Sequence, residues 1–332
     1  MINKKIKIIA EIAQGFEGNP IYSNLFVKAA ASAGADAVKF QLVYADELAT
    51  PDYKYYDLFK SLEMSEEVWN SISNLAKKNN IDLHLDIFGE KSLYLADKVG
   101  ASAIKVHGTD IANKRLLNLV AKSKVKQVIL GAGGALQSEI SIALNLLKEK
   151  HIILLFGFQS YPTANSDNQI NRIKWASEVF SKQHSSIEFG FADHAIPETN
   201  IHLGLGALAL GFGAGVLEKH LTLAKSIKME DHESALNPDE FLEYVNFMHE
   251  CSSAIGENKI VDDFGMSESE LGYRKMIRRH VVTINAISKG EIISCDNLVL
   301  KRTSSTKALT EFNEIEGKAA SKNISSNSAV EI

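Results

Sequence analysis

Glu218 and His220 stand two residues apart in GVLEKHLT, and Lys39 and Gln41 do the same in AVKFQLV. Residues two apart on an extended strand share a face, so each pair points one way. Acids, amines and imidazoles in such places hold anions, move protons and bind metal. Similar groups end other apolar runs. They are Glu11 and Gln14 with IKIIAEIA, Asp86 in DLHLDIF, and Lys105, His107, Thr109 and Asp110 from AIKVHG onward. Gln159 and Tyr161 follow IILLFGF, and Asp193 and His194 end IEFGFADH. His194 and His220 close consecutive runs, and two imidazoles so placed can share one divalent metal, with carboxylates and substrate oxygens completing its shell. The plain alternative is a hydrogen-bonded structural histidine, the reading for His84, His151, His184, His202, His249 and His280. GAGG at 131–134 reads first as a tight strand-to-helix turn and second as a phosphate cradle.

The runs that would position these groups cover 6–13, 37–43, 82–88, 103–108, 127–133, 152–159, 187–194 and 215–222. Amphipathic stretches lie between most of them. In SEISIALNLLKEK the apolar residues recur at helical spacing, and lysines gather at the end where a helix dipole favours cations. Eight strands alternating with helices predict parallel pairing and a closed (β/α)8 barrel of the TIM type. The competing doubly wound sheet usually carries a glycine-rich phosphate turn after its first strand, and AEIAQGFEGN does not match one. In the barrel, active sites lie at the carboxyl ends of the strands, where these polar residues fall. Charged groups inside a barrel are costly unless they are paired, hydrated or bind something.

The pattern changes near residue 270. RRHVVTINAISKGEIISCDNLVLKRT alternates in short strand-like runs with turn signals at SKGE and CDN. The expected division is a barrel over 1–270 and a small domain over 271–332. So short a domain has little core of its own and is expected to pack on the barrel or on another subunit. The 332 residues are 45% hydrophobic and 23% charged, as globular proteins are, and the net charge of -5 argues against a nucleic-acid binder. Two cysteines, Cys251 and Cys295, predict no disulfide framework and a cytoplasmic location. The first residues lack a signal-peptide core, and no apolar run approaches the roughly 20 residues that span a bilayer.

Several segments resemble the sialic acid synthases: AEI at 10–12 with AGADAVKFQ up to 41, SLEMSEEVWNSI, FQSYPT, ADH at 192–194, EKHLTL and DHESALNPDEF. The tail RRHVV…KGE…NLVLKR is similar to the antifreeze-like SAF domain that follows their barrel. The resemblance runs in order over nearly the whole chain. It implies a transferase that condenses phosphoenolpyruvate with an N-acyl hexosamine, either N-acetylmannosamine or a 2,4-diacetamido-6-deoxyhexose. The products would be a nonulosonic acid and phosphate. It also implies a domain-swapped homodimer and a divalent metal, manganese or magnesium, held by His194 and His220. Glu11 then matches the acid beside the metal-bound water, Glu218 is an acid in the same pocket, and Asp110 stands where a glutamate is common. Lys39, Gln41 and Lys105 match groups around phosphoenolpyruvate. Tyr161 and Asp231 match substrate contacts, with Thr109 and Gln159 lining the same site. Arg302 matches an arginine that reaches a neighbouring subunit's sugar site.

The chain departs from the family at QGFEGN in the first loop, at HGTD in place of serine-glycine-glutamate, and at Ala192 in place of serine. Gln159 replaces an asparagine and Thr303 a proline. Two other readings compete with the leading one. One is a 3-deoxy-octulosonate type of synthase acting on a phosphorylated pentose. The other is a carbohydrate-binding relative without catalysis.

Overall fold

The structure is a computed structural model that describes residues 6–158, 160–199, 201–256 and 264–331. Eight parallel strands close into a barrel: β1 (Lys7–Ala13), β2 (Ala37–Gln41), β3 (Asp82–Ile87), β4 (Ala103–Val106), β5 (Gln127–Gly131), β6 (His151–Phe156), β7 (Ile187–Asp193) and β8 (Val216–His220). Each pairs with the next in sequence, and β8 returns to β1 with Glu11 opposite His220. The (β/α)8 barrel expected from the alternating runs is therefore the fold.

Local chemistry sets the connections. Asn19 accepts the Ile21 N–H at 2.8 Å and Pro20 opens helix Pro20–Ser32 with its fixed φ. Helix Glu66–Lys78 has Glu66 and Glu67 in its first turn and Lys77 and Lys78 in its last, each sign facing the dipole end that favours it. Its Trp69 packs edge-on against Phe16 and Phe40, with ring centroids 5.9 and 6.1 Å away.

Strand alternation sorts the residues. Ile8, Val38, Leu85, Ile104, Val128, Leu154, Phe191 and Leu217 face outward into the core shared with the helices. Ile9, Ala37, Ala103, Ile129, Ile153, Leu155, Ala192 and Val216 face the lumen and form a separate apolar cluster. Two residues further along the strands the lumen turns polar, with Glu11, Lys39, Lys105 and Glu218 all buried. The register sets Glu11 beside Lys39 and Asp86 beside Lys105.

The chain divides into two compact units, Met1–Gly256 and Glu257–Ile332. The division falls before helix Glu268–Ile277, ahead of the boundary expected at 270. The second unit pairs β9 (His280–Thr283) antiparallel with β10 (Leu298–Lys301) over Val281, Ile287, Ile293, Leu298, Leu309, Ala320 and Val330. Gly290, in the SKGE turn, has φ +86°, a backbone conformation that glycine adopts without strain. Among the described residues no helix is long and apolar enough to cross a membrane.

Candidate active site

Five charged side chains meet at the carboxyl end of the barrel lumen. The Lys39 ammonium bonds Glu11, lies 2.8 Å from Asp86 and 3.5 Å from Glu218. The Lys105 ammonium lies 2.9 Å from Glu218 and 3.9 Å from both Glu11 and Asp86. Asp86 also meets His107 Nε2 at 2.9 Å, and His107 packs against the Phe88 ring. Strand alternation alone places these groups inside; closure of the barrel brings them together, since Lys105 and Glu218 are 113 residues apart.

The electrostatics divide the three carboxyls. Burial drives Glu11 upward, and Glu218 and Asp86 add to that against the pull of Lys39 and Lys105, so its pKa rises to about 8. Burial also pushes on Glu218, but Lys105 and Lys39 outweigh it and hold the group down at about 2. Asp86 is likewise desolvated, yet Lys39, Lys105 and the His107 hydrogen bond keep it well below the usual carboxylate range. For Lys39 the three surrounding acids overcome desolvation and raise its pKa well above the ordinary value. At neutral pH Asp86 and Glu218 are thus ionised beside the Lys39 ammonium, with a proton on Glu11.

Above this cluster stand the histidines. The ring centroids of His194 and His220 are 5.3 Å apart, and Tyr161 lies edge-on to both at 5.1 and 5.5 Å. Desolvation depresses His194 to about 3 and His220 well below its usual value, so both rings are neutral. Asp231, in the left-handed region at φ +59°, brings a carboxylate oxygen to 3.9 Å from His220 Nδ1. Burial first, then Glu230 and Glu233, raise Asp231 to about 7.

A small cavity next to Lys105 and His194 is walled by Gly108, Gly131, Gly133, Gly157, Leu155 and Ala192. A Cβ on Gly108 would collide with the Gly133 carbonyl, one on Gly133 with the Gly157 carbonyl, and one on Gly157 with Ala192. The strand ends approach so closely that glycine backbone forms most of the wall, completed by Leu155 and Ala192. GAGG is therefore both a turn and part of a cavity wall beside a cation.

Gln41 accepts a 2.8 Å hydrogen bond from Gln14 at the mouth. Thr109 and Asp110 belong to a short 3-10 turn outside the charged cluster, and Asn113 donates to Asp110 at 3.1 Å. Gln159 lies outside the described residues. Arg302 is exposed just after β10, in the second unit. The structure adds Asp86 and His107 to the candidate set. Both were visible as polar strand-end residues. Asp86's role shows only in its two lysine neighbours, and these come from β2 and β4.

Residues 26–260 match the NeuB family. The chain belongs to the NeuB family. It is similar to an uncharacterized protein of Methanocaldococcus jannaschii, at 33% identity over 89% of this chain and 84% of that protein. It is similar to the N,N'-diacetyllegionaminic acid synthase of Campylobacter jejuni, at 29% identity over 96% and 97%. Among solved structures it resembles the N-acetylneuraminic acid synthetase of Leptospira borgpetersenii, with a TM-score of 0.73 and 26% identity over 83% and 93% of the two chains. The likeness to sialic acid synthases seen in the motifs is thus borne out. This NeuB-family chain is a nonulosonic acid synthase, a phosphoenolpyruvate-dependent transferase.

Proposed function

We propose that the chain condenses phosphoenolpyruvate with the open-chain aldehyde of an N-acyl hexosamine, N-acetylmannosamine or a 2,4-diacetamido-6-deoxyhexose. The observation that carries the proposal is a buried acid–amine cluster directly beneath two neutral imidazoles. Lys105 lines the glycine-walled cavity and is the cation for the phosphate of phosphoenolpyruvate. Lys39, fully buried among three acids, cancels charge that would otherwise repel that anion. The polar mouth at Gln41, Tyr161 and Asp231 receives the sugar.

His194 and His220 fit a divalent metal. Both rings are neutral, and His194 Nδ1 is buried without a hydrogen-bond partner among the described residues. Among those residues no third His, Cys, Asp or Glu completes a ready-made ligand set, which leaves positions for water and substrate oxygens. Bound there, the metal supplies Lewis-acid polarisation of the sugar carbonyl.

Carbon 3 of phosphoenolpyruvate attacks the aldehyde carbon, and positive charge develops at carbon 2. Glu11 carries a proton near neutrality and gives it to the oxygen that was the carbonyl. The resulting Glu11 carboxylate takes one proton from the water that adds to carbon 2; the tetrahedral centre then collapses to the ketone, the carbon–oxygen bond to phosphate breaks, and the remaining hydroxyl proton leaves with the phosphate. Glu218 stays ionised throughout and stabilises the developing positive charge. Holding both substrates in one lumen removes much of the entropic barrier.

The test is phosphate release from phosphoenolpyruvate with manganese. The sugar panel is N-acetylmannosamine, the 2,4-diacetamido-6-deoxyhexoses, arabinose 5-phosphate and no sugar. Release with one hexosamine, lost on chelation and in His220→Ala, supports the proposal. Release only with the pentose phosphate assigns the octulosonate chemistry, and release with none favours a binding protein.

A further inference from the structure

A second pair of buried charges lies behind the histidines, and the reaction does not use it. Asp193 and Lys219 are cross-strand partners at the ends of β7 and β8, and both side chains are fully buried. They share the outward face of Phe191 and Leu217, two residues earlier, which pack into the core under the helices. Lys219 Nζ is 3.2 Å from Asp193 Oδ2. Both side chains also grip one peptide unit's neighbourhood. Asp193 Oδ1 accepts the Ala195 N–H at 2.9 Å, and Lys219 donates to the Ala195 carbonyl at 3.2 Å.

The placement matters more than the bond strength. Asp193 immediately precedes His194, Ala195 follows it, and Lys219 immediately precedes His220. Other bonds tie each histidine to its own surroundings. The His194 carbonyl accepts from Thr163 N–H at 2.9 Å and Ser234 Oγ at 2.7 Å, and the His220 carbonyl accepts from Leu236 N–H at 2.9 Å. The backbone ladder between β7 and β8 ends at Asp193 and Lys219, and the Lys219 bond to the Ala195 carbonyl carries the coupling past that last rung. A buried ion pair is a poor source of stability, because desolvating both charges offsets their attraction. Apolar residues would fill the same space at less cost.

We infer that Asp193 and Lys219 are positioning residues that lock the ends of β7 and β8 together so that His194 and His220 face one cation; the inference rests on the histidines being metal ligands. Groups that orient metal ligands from behind typically change metal affinity or activity by about 10–100-fold when removed.

The experiment is Mn2+ titration of the full chain without substrates, followed by the resonance of free Mn2+, with thermal unfolding alongside. The double variant Lys219→Met/Asp193→Asn leaves no unpaired buried charge. It is expected to keep the wild-type melting temperature or exceed it, while Mn2+ affinity falls about 10–100-fold. Asp193→Asn alone keeps an oxygen for the Ala195 N–H but leaves Lys219 buried without its acid; it is expected to melt below wild type with Mn2+ affinity between the two, and read well below its melting temperature it decides the matter if the double variant does not fold. Wild-type Mn2+ affinity in either folded variant overturns the inference. Failure of the wild type to bind Mn2+, or unchanged binding in His220→Ala, overturns the ligand reading itself and the inference with it.

Discussion

The lumen has two levels built by the same strands and filled by opposite rules. At the floor, Ile9, Ile129, Ile153, Leu155 and Val216 pack with alanines in an apolar cluster. Two residues further along, Glu11, Lys39, Lys105 and Glu218 occupy equivalent inward positions and are just as buried. Floor burial stabilises the fold through apolar area and close packing. Mouth burial costs free energy, and the charges offset it only by pairing with one another. A fold selected for stability alone would continue the floor upward. That cost is one a site for chemistry would bear, and it supports the proposed reaction.

The sharpest break of that comparison is at the mouth. Glu11→Gln keeps the shape and removes the transferable proton. Phosphate release should fall about 10²–10⁴-fold with the fold intact, as steady-state kinetics beside circular dichroism would show. Wild-type turnover in this variant would remove Glu11 from the reaction. Lys105→Met should follow, lowering kcat/KM for phosphoenolpyruvate by about 10²–10³-fold. At the floor, Ile153→Ala should do the reverse. Denaturant unfolding should show a loss of about 2–5 kcal/mol, while kcat of the folded enzyme well below its melting temperature stays near wild type.

A pH series sharpens the contrast further. The folded pKa of Glu11, about 8, exceeds its ordinary value of 4.5. Between those values the native state holds a proton that the unfolded chain has released, so this group makes stability fall as pH rises. Glu218 is depressed to about 2 from the same ordinary value, so its contribution is present above 4.5 and is lost as pH falls toward 2. Chemical denaturation across this range should show Glu11→Gln flattening the decline between pH 4.5 and about 8. An unchanged slope would contradict the raised pKa. The smallest effect belongs to Asp110→Asn. Asp110 sits in a surface turn with Asn113 rather than in the cluster, so kcat/KM should change by less than about tenfold.

Much of this site was legible as text because strand alternation is a local rule. AVKFQ and VLEKH each show two polar side chains on one face, whatever the rest of the chain does. Asp110 looked equivalent to Glu11 because both close apolar runs, but it falls in a 3-10 turn that begins at Gly108, and its side chain bonds Asn113 rather than the lysines. Asp86 was visible as a polar strand end, but its partners Lys39 and Lys105 are distant in sequence, so its role in the cluster was not.

The sequence by itself determined the eight-strand repeat, the inward-facing polar positions and the two histidines ending consecutive strands. These depend on spacing within one element, and spacing is written in order. Tertiary structure alone decided which acid keeps a proton and which stays ionised. It also decided that glycines from three successive strand ends form one wall, and that Lys219 bonds behind the histidines instead of joining the cluster. Each of these depends on distances between strands, and on the dielectric between them, which exist only once the barrel has closed.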